Sequence, residues 1–452
     1  MKIDKLKIMY FLGIGGIGMS ALARYCNSLG IEIHGYDLTP TKLTTALIAE
    51  GMNIHFAEDI DLIPKNTDLV VLTPAIPENN LELKYFENND YEIVKRSQLL
   101  GILSENSFMI AVAGTHGKTS ISSMIAHLLL SAGKNVTALI GGVMNNYKSN
   151  AIIGKTTDYL VLEADEFDRS FLHLKPNISV VSSMDDDHLD IYKTSSELKK
   201  TFIQFALKTE VDGVLFYQED LMELETLNLK KAKYGFEHAS YFRAENIRIV
   251  NGSFVFDFYY GNKDVKAIIM QVPGRHYIEN ALAAAAVGVQ IGLSGIEIKQ
   301  GLETFKGVER RFEFKVKSEK NVLIDDYAHH PTEITSSLKA VKELFPEKKL
   351  SVVFQPHLFS RTRDFVDGFA ESLDIADEIF LLDIYPAREL PIEGVSSKII
   401  LEKIKTIEKS ILSKDDLIKK ITTNKPELLV MLGAGDIGLL AVELQKIIEK
   451  ND

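Results

Sequence analysis

Tryptophan is absent from the 452-residue chain, and cysteine occurs once, as Cys26. A single thiol cannot close an intrachain disulfide, which excludes disulfide-built secreted domains and predicts a reducing compartment, the cytoplasm. Proline is scarce, 12 residues against 29 glycines, so collagen-like and proline-rich chains are excluded. No apolar run approaches the roughly 20 residues of a membrane span, and no membrane insertion is expected. Bases are in deficit, 51 Lys and Arg against 63 Asp and Glu. The resulting charge of −12 disfavours a general nucleic-acid binder while leaving small anionic substrates admissible. What remains is ordinary globular composition, 46% hydrophobic and 25% charged, in a length that at roughly 150 residues per domain suggests about three domains.

The lysine-rich start followed by an apolar stretch imitates a cleavable secretory signal. Four glycines inside it, Gly13, Gly15, Gly16 and Gly18, fit a strand-to-helix phosphate turn better than a helical signal core. Short apolar runs then alternate with helix-period runs along the chain, the rhythm of parallel α/β sheets. The series breaks into three α/β domains: 1–104 and 309–452, both Rossmann-like, and 105–308, which resembles a phosphate-loop ATPase. An antiparallel insert is expected around Phe254, Phe256, Phe258 and Tyr260.

The strongest motif is Gly114-Thr115-His116-Gly117-Lys118-Thr119-Ser120, which follows the apolar run 108–113 and opens a helical pattern. Glycines let backbone N–H groups turn onto phosphate oxygens at a helix N-terminus, Lys118 adds a mobile cation, and Thr119 offers a hydroxyl to Mg²⁺. Val112 stands where the standard pattern has glycine, and the rival reading is a plain glycine cap. Two acidic clusters follow later apolar runs: Glu163, Asp165, Glu166 and Asp168, then Asp185, Asp186, Asp187, His188 and Asp190. Carboxylates at strand C-termini beside a phosphate loop are what Mg²⁺ takes alongside phosphate, whereas each cluster alone reads as solvated loop.

Gly13-x-Gly15-x-x-Gly18, with Asp37 after the next strand, has the dinucleotide layout, but any diphosphate nucleoside approached by bare backbone satisfies the same physics. Gly433-Ala434-Gly435-Asp436-Ile437-Gly438 has too little chain after it to supply a ribose-binding acid and reads as a tight turn. In the last domain, Arg361 or Arg363 could hold a carboxylate by paired hydrogen bonds. The neighbouring His329 and His330 make a poor zinc site, with no third ligand at helical spacing.

The ordered set of motifs, from Gly13–Gly18 and the phosphate loop through Glu163-Ala164-Asp165-Glu166, Asp187-His188-Leu189-Asp190, Arg310-Arg311-Phe312-Glu313, Asp326-Tyr327-Ala328-His329-His330-Pro331 and Asp383-Ile384-Tyr385-Pro386-Ala387-Arg388-Glu389, resembles the Mur ligase family over the whole chain. These are ATP-dependent enzymes that form amide bonds in peptidoglycan synthesis. The resemblance implies that Gly13, Gly15, Gly16, Gly18 and Asp37 bind a UDP-sugar and that Gly114 to Ser120, Asn280, Arg311 and Asp326 surround ATP. It also implies that Thr119, Glu163 and His188 hold Mg²⁺, with Lys118, Glu163 and His188 catalytic, and that His357 and Arg361 lie near the incoming amino acid. The implied substrates are UDP-N-acetylmuramate, L-alanine and ATP, used by a monomer or weak homodimer through an acyl phosphate. Two departures bear on the transfer: Tyr277 replaces a common asparagine, and Ile203 stands where related ligases carry a carbamylated lysine, with Lys199 and Lys200 out of register. Three rivals follow: a sister ligase that recycles a murein tripeptide, disfavoured because its Glu-Gly-Asp-Glu is here Glu163-Ala164-Asp165-Glu166; an NAD-dependent dehydrogenase; and a non-enzymatic ATP switch.

Overall fold

The computed structural model describes residues 3–103, 107–186, 189–387 and 389–450. Three sheets carry the architecture, as the alternating pattern predicts, in a three-domain α/β fold. The first is wholly parallel: β1 (Ile8–Leu12), β2 (Glu32–Tyr36), β3 (Asn53–His55), β4 (Leu69–Leu72) and β5 (Ile93–Lys95), in the order β3-β2-β1-β4-β5. The direction of winding reverses between β1 and β4, so the crevice beyond their C-terminal ends is the place for a ligand. The glycine turn sits there: a Cβ on Gly13 would lie 2.4 Å from Thr73 Cγ2, at the end of β4.

The second sheet has ten strands: β6 (Phe108–Ala113), β7 (Val136–Met144), β8 (Ser149–Ile152), β9 (Tyr159–Glu163), β10 (Ile178–Val181), β11 (Val214–Gln218), β12 (Lys231–Gly235), β13 (Phe242–Val250), β14 (Ser253–Tyr260) and β15 (Lys263–Ile269). Their order is β15-β14-β13-β12-β11-β10-β6-β9-β7-β8, so β6 is central, flanked by parallel β9 and β10. Its residues Met109 to Ala113 are fully buried, and each large apolar side chain removed from water contributes about 1.5–3 kcal/mol. Val112, the departure from the standard phosphate-loop pattern, is part of this strand and pairs with Glu163 and Val180, so the loop proper begins at Gly114.

The third sheet comprises β16 (Glu313–Lys317), β17 (Val322–Asp326), β18 (Leu350–Phe354), β19 (Glu378–Leu381), β20 (Lys409–Ile411) and β21 (Leu428–Leu432), in the order β16-β17-β21-β18-β19-β20, with only the β16 edge antiparallel.

By compactness the chain forms two units. One takes residues 1–245, 257–268 and 279–305; the other takes 246–256, 269–278 and 306–452. The first two sheets therefore belong largely to a single body. The helix Ile17–Ser28 is tied to the β7–β8 hairpin through Asn150, whose side-chain amide donates to Ile17 O at 2.7 Å and Ser20 Oγ at 3.0 Å. The expected boundary at 104 falls on residues 104–106, outside those described. Cys26 lies in this body's core, and burial pushes its thiol up to about 12.

Candidate active site

The phosphate loop turns from β6 into the helix Lys118–Ser131. Gly117, at its N-cap, has φ +83°, a left-handed conformation that disfavours side chains, and a Cβ there would lie 2.9 Å from Asn280 Oδ1. Asn280 is thus placed against the loop within the same unit. The loop is pinned from the end of β10: His116 N donates to Ser183 Oγ at 2.8 Å, and Ser182 Oγ donates to His116 O at 2.5 Å. Asp185 N donates to Thr115 Oγ1 at 3.0 Å, and His116 Nε2 is 3.3 Å from Asp185 Oδ2. Thr115 and His116, grouped in the sequence with the ATP-binding residues, therefore turn their polar groups toward the β10 loop. Ser120 is buried on the helix.

Lys118 Nζ donates to both carboxylate oxygens of Glu166 at 2.8 Å and to Gly114 O. Burial disfavours its ammonium, but Glu166, Asp165 and Glu163 outweigh burial and hold the amine above its ordinary value. On the other side of the helix start, Thr119 Oγ1 donates to Glu163 Oε2 at 3.2 Å, while Glu163 Oε1 accepts the Gly141 N–H at 2.5 Å. This hydroxyl–carboxylate pair consists of hard oxygen donors suited to Mg²⁺. Among the described residues no cluster of three His, Cys, Asp or Glu side chains stands ready for a metal. The expected third ligand, His188, lies outside the described residues, as does Asp187. Lys199 pairs with Glu223 at 2.8 Å.

In the first sheet, Gly13 has φ +84°, and the helix Ile17–Ser28 starts at Gly16 without a side-chain cap, which leaves its first turn suited to an anion. Asp37 follows β2 and sits against the glycine turn. Its Oδ2 accepts the Gly15 N–H at 2.7 Å and its Oδ1 the Thr39 N–H at 3.2 Å, so the carboxylate braces the glycine turn. Gly15 and Asp37 are together as expected.

The remaining expected residues lie in the second unit. Arg311 lies over the Tyr327 ring at 4.8 Å and 3.9 Å from Glu333. Tyr277, the departure from the family pattern, is buried in the same unit with its ring 4.6 Å from His276. Asp326 closes β17, where burial pushes its carboxyl up. His357, beyond β18, stacks on Tyr385 with ring centres 5.7 Å apart, and His329 lies 6.1 Å from it. Arg361 is buried, whereas Arg363 is exposed and paired with Asp364. The Gly433–Gly438 turn is filled from inside: Arg310 Nη2 donates to Gly433 O at 2.6 Å and Nη1 to Gly435 O at 3.1 Å. It is accordingly a structural turn braced by an arginine. Beside it a cavity of about 460 Å³ opens at the ends of β18, β19 and β20, lined by Gln355, Asp383, Tyr385, Lys414, Asp415 and Asp436 among others.

Two partners escaped the sequence reading. Glu166 was visible only as one acid among several, although it sits at the end of a strand adjacent to the loop. Arg96, whose guanidinium donates to Asp165 at 2.7 Å, is a single arginine with no motif around it.

Strand, glycine loop, lysine and flanking carboxylates define a phosphate-loop nucleotide-binding protein. Comparison with known proteins makes this specific: residues 8–108 match the Mur ligase family catalytic domain, 112–288 the Mur ligase middle domain and 310–435 the Mur ligase glutamate ligase domain. The chain is 46% identical to the UDP-N-acetylmuramate–L-alanine ligase of Flavobacterium johnsoniae, over all of both chains. It is 42% identical to that of Porphyromonas gingivalis, over 98% of this chain and 99% of the relative. The structure of the UDP-N-acetylmuramate–alanine ligase of Thermotoga maritima superposes with a TM-score of 0.84 at 28% identity, over 99% of this chain and 100% of that one. The protein belongs to the Mur ligase family and is an ATP-dependent, amide-forming ligase of peptidoglycan synthesis.

Proposed function

We propose that this ligase joins L-alanine to the lactyl carboxylate of UDP-N-acetylmuramate. The observation that carries the reading is the double engagement at the start of the Lys118–Ser131 helix, with Lys118 on Glu166 and Thr119 on Glu163. Full-length identity to relatives bearing that activity in their names supports the choice of substrates.

In this reading the triphosphate enters with its own negative charge and draws Lys118 from Glu166 to its terminal phosphates. The loop N–H groups and helix end orient the γ-phosphoryl group. Thr119 and Glu163 would hold Mg²⁺, which would supply charge neutralisation at the terminal phosphates. The lactyl carboxylate oxygen attacks the γ-phosphorus, the bond to the bridging oxygen breaks, and ADP leaves. The alanine nitrogen, having given up a proton, attacks the acyl carbon of the resulting acyl phosphate, and inorganic phosphate departs with the C–O electron pair. Two anions must meet at one phosphorus, so Lys118 acts chiefly by neutralising charge. His357 and Arg361 form the side that receives the amino acid, with Arg361 for its carboxylate. Asn280, against the loop, belongs to the ATP site of the first unit, and Gly13, Gly15, Gly16 and Gly18 to the sugar-nucleotide site. The protein works in the cytoplasm, as a monomer or weak homodimer.

Phosphate release measured with UDP-N-acetylmuramate, ATP, Mg²⁺ and one amino acid at a time tests this. Release should depend on the sugar nucleotide and on L-alanine. Dependence on a murein tripeptide in place of alanine would transfer the protein to the recycling activity, and release without the sugar nucleotide would overturn the reading.

A further inference from the structure

Arg96 opens the helix Arg96–Leu103 directly after β5, at the same C-terminal end of the parallel sheet as the Gly13–Gly18 turn. Two observations fix its guanidinium. A Cβ built on Gly18 would fall 2.2 Å from Arg96 Nη1, so this donor rests against the bare Cα of Gly18, in the uncapped first turn of the helix Ile17–Ser28. The other arm, Nη2, donates to Asp165 Oδ2 at 2.7 Å. Asp165 divides its oxygens, because Oδ1 accepts the Phe167 N–H at 3.0 Å. The next residue, Glu166, clasps Lys118.

One planar cation thus spans the two substrate sites of the first unit. Among the described residues Asp165 is its hydrogen-bond partner, although a guanidinium carries five donors. A salt bridge serving stability alone has no need of a helix N-terminus or of a neighbouring residue stripped to glycine. An arginine at that helix end adds a fork-shaped donor where the backbone already favours phosphate oxygens. We propose that Arg96 is a positioning residue that grips the diphosphate of the sugar nucleotide with its Nη1 edge while its Nη2 edge holds the acidic motif of the ATP centre, so that occupancy of the two sites is linked. The inference rests on the sugar-nucleotide reading above and extends it to a residue outside the glycine motif.

Calorimetric titration with UDP-N-acetylmuramate, with a non-hydrolysable ATP analogue, and with each in the presence of the other, tests this on wild type, Arg96→Ala, Arg96→Lys and Asp165→Asn. In wild type each ligand should change the affinity of the other by the same factor, as linkage requires. Arg96→Ala should weaken sugar-nucleotide binding at least tenfold, leave binding of the analogue alone within about threefold, and bring the linkage factor to one. Arg96→Lys, which keeps the charge without the fork, should recover part of the sugar affinity but not the linkage. Asp165→Asn, which cuts the other end, should lose linkage with a smaller change in sugar affinity. Wild-type sugar affinity in Arg96→Ala overturns the proposal, as does a linkage factor of one in wild type or an equal loss for both ligands accompanied by a lowered melting temperature. Failure of the wild-type protein to bind the sugar nucleotide would instead overturn the substrate reading.

Discussion

At the scale of single residues the site works by paired charges that can exchange partners. Lys118 is the clearest case: its ammonium is buried against Glu166, and an arriving phosphate can replace that carboxylate without leaving a buried cation unpaired. Lys118→Ala should remove ATP hydrolysis and amide formation together, with kcat reduced by about 10²–10³ or more, the loss typical of one preorganised electrostatic group. Single-turnover phosphate release with saturating ATP checks this, and near-normal turnover would contradict the role given to the loop. A second residue, Glu279, is half-buried beside Asn280 and accepts a bond from Gln218 at 3.0 Å; burial raises its pKa to about 7 from an ordinary 4.5. A raised carboxyl means that the folded state binds more protons than the unfolded one between those values, so its contribution to stability declines as pH climbs from about 4.5 to about 7. The first unit of Glu279→Gln should therefore be more stable than that of wild type at pH 8, by about 1–3 kcal/mol, and indistinguishable near pH 4.5. Denaturant melts at the two pH values read the difference, and an equal shift at both would refute the assignment.

Elements explain why some of these residues were legible in the sequence and others were not. Gly114–Thr119 was readable because strand, glycine turn and helix are consecutive, and local order carries the geometry. Glu163 and Asp185 were readable as candidates because β9 and β10, whose ends they follow, flank β6 in a parallel sheet, a placement that the alternating pattern already implied. Asp37 was legible as a motif member, but its bond to the Gly15 N–H was not, because the pattern does not specify which donor takes a carboxylate oxygen. Adjacent arginines show the same limit: Arg310 turns into the Gly433–Gly435 carbonyls and Arg311 onto Tyr327, a division set by the left-handed backbone at Arg310, φ +58°, which no periodicity reveals. Strand β7 offers a test at this level. A Cβ at Gly141 would lie 2.6 Å from Glu163 Oε2, so Gly141→Ala should push that carboxylate away from Thr119 while the sheet stays folded. The expected result is a several-fold increase in the Mg²⁺ concentration needed for half-maximal rate and a kcat lowered about tenfold, equivalent to roughly 1.4 kcal/mol. An unchanged Mg²⁺ dependence would remove Glu163 from the metal.

For the whole molecule the consequential fact is the division into two compact units. Chains of this kind depart from all-or-none unfolding, so a single melting free energy does not describe them. The chain's only cysteine offers a way to watch one unit alone, because Cys26 is buried in the first unit and its raised pKa keeps it inert while that core is closed. Labelling by a thiol reagent should then follow opening of the first unit and be indifferent to melting of the second. An ATP analogue bound at the phosphate loop stabilises the same unit by RT ln(1 + [L]/Kd), about 2.7 kcal/mol at a hundredfold excess over Kd. In the regime where closing outruns labelling, the Cys26 reaction should slow by about a hundredfold under those conditions. Tyrosine fluorescence, free of tryptophan in this sequence, reports both units and should resolve into two transitions in denaturant, of which the analogue moves the one that coincides with labelling. If labelling tracked the other transition, or did not slow with nucleotide, the triphosphate would not be seated in the unit that carries Gly114 to Thr119.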